Sequence, residues 1–290
     1  MLIQKMGRKD GRYSSLEEFR RESLIELVQT DTSCLEVGPF TRPTFSASEC
    51  RLKTLDFYDT QELRDHAVKI GVDPATVINV DYVCKDENYC EVVKERFDVV
   101  IAAHVAEHVV AFIKFFQSLR CLLNDGGYLL IVLPDKRYGF DKFRPDTNLS
   151  LLIFEYLNPE MPWRGLHSLE TAMYYDKRYI KQENVVKDRL NISILEKAAS
   201  EWHPGVHSHV FQYEDAVPKI FAPLCAMGLI DFDIVDSRMC TQFGEFTVLL
   251  KAGNRNTDYK SIDGFYTPAR DTIVNTSAPK PSKWRQSFWR

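Results

Sequence analysis

The chain has 290 residues, of which 44% are hydrophobic and 27% charged, so it can bury a full core in one α/β domain with a lid. Its formal net charge of −4 and pI near 6.0 argue against broad nucleic-acid binding, which normally leaves a basic footprint. The seven cysteines include no CxxC pair, and neither a signal peptide nor an apolar run of 18 residues occurs, so we expect reduced thiols in a cytoplasmic protein without a membrane span.

Short apolar runs typical of buried parallel strands recur along the chain. CLEVGPF contains Glu36 and Gly38 at its end, RLKTLDFYD places Asp56 about 20 positions later, and ATVINVDYV ends at Asp81. The fourth and fifth runs are FDVVIAA and GGYLLIVLPD. Because ligands bind beyond the carboxyl ends of parallel strands, the polar residues there are candidate binding groups.

Helical patterns separate these runs. Ser14 and Ser15 each precede a glutamate by three positions, which predicts a capped helix over SSLEEFRRESLIELVQ, and a second helix covers DTQELRDHAVKIG. The segment 107–123 is apolar almost all round and predicts a buried helix. Strands and helices are therefore expected to alternate.

Two further strands, DFDIVDSRMC and EFTVLLKAG, follow a long insertion and are joined by a short turn. We therefore predict an α/β fold, with a doubly wound, mostly parallel seven-stranded sheet, an antiparallel C-terminal hairpin and a helical lid insertion. The expected units are an N-terminal helical segment at 1–30, a core at 31–135 and 214–253, a lid at 136–213 and a flexible tail at 254–290.

Five β-α units and a terminal hairpin resemble the class I S-adenosylmethionine-dependent methyltransferases over roughly residues 14–253, apart from the insertion. The resemblance implies that S-adenosylmethionine is the cofactor. It also implies binding by the first loop, through Glu36, Gly38 and Pro39, with Asp56 holding the ribose and Asp81 contacting the adenine.

The first loop departs from the glycine-rich pattern, because Phe40 and Arg42 stand where further glycines are common. A dinucleotide needs those glycines so that backbone can approach its pyrophosphate, whereas S-adenosylmethionine has no phosphate. The departure favours S-adenosylmethionine over a nicotinamide cofactor. An alternative is that Glu36 and Asp56 merely cap strand ends.

His104, Glu107 and His108 lie together after the fourth apolar run. This family commonly places residues that face cofactor and acceptor there, which implies a catalytic and cofactor-contacting role for His104. Histidine suits removal of a proton from a hydroxyl because its unperturbed pKa is about 6.5. His108 and the later His207 are the other catalytic candidates. The order HxxEH also matches an inverted zinc-hydrolase motif, which we reject because a strand runs directly into it.

A divalent metal is a further candidate cofactor. His207 and His209 in GVHSHVF fall on one face if that segment is extended. Similarity to small-RNA 2′-O-methyltransferases of this fold implies that Glu107 and His108 join them in holding an ion that orients the acceptor hydroxyl. Imidazole and carboxylate ligands suit zinc, iron, manganese or nickel better than calcium. Ordinary hydrogen bonding by these histidines is the alternative.

The insertion opens with PDKRYGFDKFRPDT, which interleaves cations with aromatic residues. We expect Lys136, Arg137, Tyr138 and Arg144 to bind the acceptor, with arginine forks on a carboxylate or phosphate and aromatic faces against a sugar. A solvated, salt-bridged loop is the alternative, because nearby aspartates nearly balance the cations. This loop and GVHSHVF look like stretches of bacterial methyltransferases associated with surface-polysaccharide assembly. That resemblance implies O-methylation of a sugar hydroxyl on an acidic glycan or a lipid-linked precursor.

The chain ends in KPSKWRQSFWR, where basic residues beside tryptophan favour an anionic membrane interface. Such contact would place the enzyme at the inner face of the membrane; docking of these aromatics on the enzyme itself or on another subunit is the alternative.

Two other function classes stay open. One is a binding-only partner, favoured if the histidines do not converge, and the other is a small-molecule or RNA methyltransferase.

Overall fold

The structure is a computed structural model that describes residues 13–86, 88–174, 192–201 and 205–253. The basic aromatic tail, with its predicted membrane contact, lies outside the described residues. Within the described ranges, no helix combines the length and the apolar character needed to cross a membrane.

Seven strands form one sheet in the order β3-β2-β1-β4-β5-β7-β6. They are β1 Ser33–Val37, β2 Arg51–Asp56, β3 Tyr82–Val83, β4 Phe97–Ala103, β5 Leu123–Pro134, β6 Phe232–Cys240 and β7 Glu245–Ala252. The first five strands pair in parallel, and β7 runs antiparallel to both β5 and β6. The predicted doubly wound sheet with a C-terminal hairpin is confirmed, and the carboxyl ends of β1 to β5 share one edge.

The helices flank this sheet or belong to the insertion. They are α1 Leu16–Glu22, α2 Thr60–Lys69, α3 Tyr89–Val92, α4 Phe112–Cys121, α5 Leu149–Leu157, α6 Trp163–Tyr174, α7 Ile192–Ser200, α8 Tyr213–Ala216 and α9 Ala222–Ala226. A π-helical turn, Val217–Phe221, joins the last two.

Helix α1 is shorter than predicted but begins where its capping residues indicate. The side chain of Ser15 accepts a hydrogen bond from the backbone N–H of Glu18, and the Glu18 carboxylate accepts one from the backbone N–H of Ser14. After Glu22 the chain continues as turns that bury Leu24.

The predicted alternation of strands and helices fails at the first connection. Residues 38–50, all described, form turns between β1 and β2 and contain no helix. Gly38 and Phe40 have positive φ values of 66° and 48°, and Pro39 and Pro43 lack backbone N–H donors. Left-handed residues and prolines together prevent a helical hydrogen-bond ladder from forming over this loop.

Helix α4 is buried as predicted, with Phe112, Phe115 and Phe116 all inaccessible or nearly so. It begins at Phe112, however, and not at Glu107. Residues 104–111 are therefore a loop at the carboxyl edge of the sheet, and His108 does not lie on a helix.

One cysteine prediction was wrong. Cys90 of α3 and Cys121, the last residue of α4, form a disulfide whose Cα atoms lie 6.2 Å apart. The sequence separation of 31 and the absence of a CxxC motif gave no sign of this pair, because packing of the two helices brings the thiols together.

The insertion returns across the carboxyl edge of the sheet. Asp135 pairs with Phe211 as an isolated parallel bridge, and the backbone N–H of His209 donates to the carbonyl oxygen of Glu107 over 3.0 Å. We call residues 205–211 the return segment. Its contacts with the loop after β4 place insertion residues beside the predicted catalytic groups.

Candidate active site

The first loop approaches the loop after β4 closely at Gly38. A Cβ atom added to Gly38 would lie 3.1 Å from Cγ2 of Val105, and its φ of 66° also favours glycine. The Gly38 N–H donates to the carbonyl oxygen of Leu55 over 2.8 Å, next to Asp56 at the end of β2. Three strand ends therefore meet at the edge predicted to bind the cofactor.

Asp56 is buried at that edge, with 9% of its surface exposed. Its Oδ1 accepts a hydrogen bond from the backbone N–H of Tyr58 over 3.0 Å. Burial raises the pKa of this carboxyl above its ordinary value. The position agrees with the predicted ribose contact, which itself stays a prediction.

Glu36 closes the first loop. Its Oε2 accepts from the backbone N–H of Thr44 and its Oε1 from the Thr44 hydroxyl, both over 2.8 Å. Only 1% of Glu36 is exposed, and this burial raises the pKa of its carboxyl to about 7. Glu36 therefore shapes the loop that carries Gly38 and Pro39, and its contact with the cofactor stays a prediction.

The prediction that Asp81 ends the third strand was wrong. Strand β3 begins after Asp81, whose carboxylate accepts from the backbone N–H of Thr54 and from Lys53 Nζ, both over 2.9 Å. The acid that follows β3 is Asp86, whose Oδ1 accepts from the backbone N–H of Asn88 over 3.1 Å. A strand of only two residues is too short for periodicity to locate, so the sequence pattern placed its end too early.

His104 bridges two carboxylates. Its Nε2 lies 2.6 Å from Oε2 of Glu245 at the start of β7, and its Nδ1 lies 3.3 Å from Oε1 of Glu107. Desolvation lowers the pKa of His104, but hydrogen bonds and charges from Glu107 and Glu245 outweigh it and raise the pKa to about 9. The two carboxylates thus favour the cationic form of His104, which disfavours it as a general base, and its catalytic role stays a prediction.

Arg20 of α1 also forms a bidentate ion pair with Glu245. Arg20 Nε and Nη2 lie 3.1 and 3.0 Å from the two carboxylate oxygens, and both side chains are buried. Arg20, Glu245, His104 and Glu107 thus form a row of alternating charges, of which the His104 side chain is 40% exposed and the other three are buried. Sequence reasoning missed Arg20 and Glu245 because 225 positions separate them.

Glu107, His108 and His207 converge. One potential ligand atom from each lies within 4.8 Å of the other two. Glu107 is 1% exposed, and neither of its carboxylate oxygens has a hydrogen-bond partner of good geometry. Burial alone would raise the pKa of Glu107, but the neighbouring His104 outweighs it and holds the pKa at about 2. We call these three residues the central cluster.

Hydrogen bonds fix the tautomer of each imidazole in the central cluster. His108 Nδ1 lies 3.2 Å from the carbonyl oxygen of Val206, which can only accept, so Nδ1 carries the proton and Nε2 keeps its lone pair. Burial, followed by the charge of His207, lowers the pKa of His108 to about 4, so it is neutral near pH 7. His207 donates from Nδ1 to Oδ2 of Asp141 over 2.5 Å, which leaves its Nε2 free of that bond.

These features fit a divalent metal ion. A buried, ionised carboxylate and two imidazoles with defined lone pairs are ligands that zinc, iron, manganese and nickel accept. Asp141 supplies the carboxylate partner that ligating histidines usually have. The predicted site is therefore assembled, except for His209.

His209 belongs to a different group. A bend at Ser208 interrupts the extended segment, so His207 and His209 do not share a face as predicted. The His209 ring instead lies beside Glu155 and His167 and packs on Phe112, with 5.3 Å between ring centroids. Burial lowers the pKa of His209 well below its ordinary value.

The predicted acceptor cations are neutralised inside the protein. Arg144 is fully buried against Asp141, Glu170 and the carbonyl oxygen of His207. Lys136 is also buried and pairs with Asp146 over 2.8 Å. These contacts contradict direct acceptor binding by Lys136 and Arg144.

Arg137 and Tyr138 are partly accessible. Arg137 forks onto Asp135, with Nε to Oδ1 at 2.8 Å and Nη2 to Oδ2 at 2.6 Å, and its Nη2 also lies 2.6 Å from Glu214. The Tyr138 ring packs against the core beneath the insertion and lies 6.0 Å from the Arg137 guanidinium carbon. Pairing with two carboxylates weakens the prediction that Arg137 grips an anionic acceptor.

Comparison with known proteins agrees with this architecture. Residues 14–183, more than half of the chain, match the family model of a methyltransferase domain. No significant match to a curated protein was found. Solved structures to which this chain is similar include an S-adenosylmethionine-dependent methyltransferase from Clostridium acetobutylicum, at 14% identity over 84% of this chain and 94% of that one, with a TM-score of 0.44.

Two further solved structures are similar. One is an S-adenosylmethionine-dependent methyltransferase from Aquifex aeolicus, at 10% identity over 80% of this chain and 89% of that one, with a TM-score of 0.38. The other is a methyltransferase from Pyrococcus furiosus, at 11% identity over 86% and 91%, with a TM-score of 0.37.

Proposed function

This chain belongs to the methyltransferase domain family. We propose that it uses S-adenosylmethionine as its cofactor and transfers a methyl group to a sugar hydroxyl. The observation that supports this most is the central cluster of Glu107, His108 and His207, with Asp141 behind His207. Such a cluster at the carboxyl edge of the sheet suits an acceptor that must lose a proton.

The cofactor, when bound, supplies a methyl group that is already electrophilic on its sulfonium sulfur. The protein must hold the cofactor and align an acceptor oxygen with that methyl. We assign the ribose hydroxyls to Asp56 and the shape of the methionine-binding loop to Glu36 and Gly38. Asp86 takes the adenine-side position that the sequence pattern gave to Asp81.

Two routes would remove the proton from the acceptor. A divalent ion held by Glu107, His108 and His207 would orient the hydroxyl and lower its pKa. Without an ion, the neutral His108 can accept the proton at Nε2. His104 serves neither route directly; as a cation it keeps Glu107 ionised, which is the form that binds metal.

A sugar acceptor fits the accessible surface beside the central cluster. Phe140 packs on the His207 ring with 4.7 Å between centroids, so an apolar face lies beside one of the ligand histidines. An acidic group on the acceptor is not required, because Lys136, Arg137 and Arg144 already have carboxylate partners. Acidic glycans and lipid-linked precursors, suggested by the resemblance of the loops, remain acceptors to be tested.

The test is methyl transfer from labelled S-adenosylmethionine to a panel of neutral glycans, acidic glycans, lipid-linked precursors, RNA and small phenols. Label recovered as a sugar methyl ether supports the proposal. Label at an RNA 2′ oxygen or on a phenol would favour the corresponding alternative. Cofactor binding without transfer to any hydroxyl would favour the binding-only protein.

The matched variants are His207→Gln and His66→Gln. His207→Gln removes an imidazole of the central cluster, so transfer should fall at least tenfold. His66 lies exposed on α2, so its substitution controls for loss of a histidine elsewhere and should leave transfer unchanged.

A further inference from the structure

A second group of potential metal-ligating side chains lies within the insertion. Glu155 of α5, His167 of α6 and His209 of the return segment each place one potential ligand atom within 4.8 Å of the other two. Their exposed fractions are 4%, 0% and 0%. Two consecutive helices and the return segment thus bring one carboxylate and two imidazoles to a single buried point.

Hydrogen bonds satisfy only some of the polar atoms of these three side chains. His167 Nε2 donates to Oε1 of Glu155 over 2.9 Å, and His209 Nε2 donates to the carbonyl oxygen of Val110 over 3.2 Å. His209 Nε2 also lies 3.5 Å from Oε2 of Glu155, so both imidazoles face this carboxylate through Nε2. Among the described residues, Oε2 of Glu155 and the two Nδ1 atoms have no well-aligned hydrogen-bond partner. Buried polar atoms are normally paired, so unpaired atoms on all three side chains leave this buried group with the capacity to bind a ligand.

We propose that Glu155, His167 and His209 form a second metal site that binds Zn²⁺ or a similar divalent ion. Two nitrogen ligands and one carboxylate oxygen suit zinc and exclude calcium and magnesium, which prefer oxygen ligands. The rings of Phe112 and Phe211 lie 5.3 and 6.4 Å from that of His209 and supply an apolar shell that shields the site from water.

The second site is separate from the central cluster but mechanically connected to it. His207 and His209 flank Ser208, whose hydroxyl donates to the carbonyl oxygen of His108 over 3.1 Å. An ion at the second site ties α5 and α6 to the return segment and so holds His207 in place. Its role is to hold helices α5 and α6 of the insertion to the return segment, while the central cluster faces the acceptor.

The experiment counts bound ions in the full-length protein. Wild type, His167→Gln, His207→Gln and the double variant are stripped with a chelator, titrated with Zn²⁺, desalted and measured by mass spectrometry of the metal. Co²⁺ absorption, which reports nitrogen and oxygen ligands directly, is recorded in parallel. Glutamine can still donate to Glu155, and circular dichroism verifies that each variant is folded.

Two ions in wild type, one in each single variant and none in the double variant are the expected result. A different outcome is one ion in wild type that is lost in His167→Gln and kept in His207→Gln. That result also supports the second site, but it excludes the metal-assisted route of the proposed function. One ion that only His207→Gln removes would overturn the second site and leave the proposed function intact. No tightly bound ion in wild type would overturn both sites and leave Glu155, His167 and His209 as a hydrogen-bonded network.

Glu155→Gln provides a second variant that preserves shape. It should lower the Zn²⁺ affinity of His207→Gln at least tenfold, because the anionic ligand is lost. Unchanged affinity would show that the remaining ion binds elsewhere.

Discussion

His207 donates a hydrogen bond from Nδ1 to Oδ2 of Asp141 over 2.5 Å, and both side chains are buried. The carboxylate sets both the tautomer and the orientation of the imidazole, so that Nε2 carries the lone pair. Asp141 in turn lies 3.1 Å from Nη1 of Arg144, whose other partners belong to the insertion and the return segment. The position of one ligand in the central cluster is therefore determined by the folding of the insertion.

Asp141→Asn should reduce metal affinity and methyl transfer by about 10- to 100-fold, because the partner of a ligating histidine loses its charge. Metal titration and initial rates measure the two effects. Asp146→Asn is the control, because it removes a carboxylate from the same insertion without touching His207. Equal effects of the two substitutions would show that Asp141 acts only through general folding of the insertion.

Asp56→Asn should weaken S-adenosylmethionine binding by about 10- to 100-fold, since hydrogen bonds to a charged acceptor contribute about 1.5–3 kcal/mol. Calorimetry of cofactor binding measures this. Asp81→Asn is the matched control; its carboxylate is held by Lys53 and Thr54, before the start of β3, so binding should not change. The opposite pattern would restore Asp81 as the adenine contact.

The seven-stranded sheet and the terminal hairpin could be predicted, because apolar runs and turns mark the longer strands locally, whereas the two residues of β3 were placed too early. The absence of a helix after β1 was harder to predict, although Gly38, Pro39 and Pro43 in one loop were a signal against a helix there. The pairs Asp141 with His207 and Arg20 with Glu245 are separated by 66 and 225 positions, so only the tertiary fold reveals them. Local periodicity cannot show a bend such as that at Ser208, which divides the two histidines between two clusters.

Arg20→Met should destabilise the protein by about 3–5 kcal/mol, because it leaves the buried carboxylate of Glu245 without its main partner. Chemical denaturation monitored by circular dichroism gives the free energy of unfolding. Arg42→Met breaks a pair with Glu17 in which the arginine is 45% exposed, so a loss of only about 0–1 kcal/mol is expected. Similar losses for both variants would contradict the stabilising role of the buried Arg20–Glu245 pair.

Glu36 should make stability depend on pH. The pKa of Glu36 is raised to about 7 in the folded protein against an ordinary value of 4.5. Its stabilising contribution to the free energy of unfolding is therefore fully present below pH 4.5 and is lost as pH rises through 7. The loss is on the order of 3 kcal/mol. Unfolding of wild type and Glu36→Gln at pH 4.5 and pH 8 measures it, and the difference between the two proteins should change with pH. A constant difference would contradict the raised pKa.

The most direct test of the central cluster is the methyl-transfer rate of chelator-treated protein, measured before and after divalent ions are restored. Wild type and His207→Gln are assayed together, on the hydroxyl acceptor that the panel identifies. Wild type should lose at least tenfold in rate on chelation and regain it with zinc, manganese, iron or nickel, while His207→Gln stays slow throughout. Rates that ignore both the chelator and the His207 substitution would contradict the role assigned to Glu107, His108 and His207.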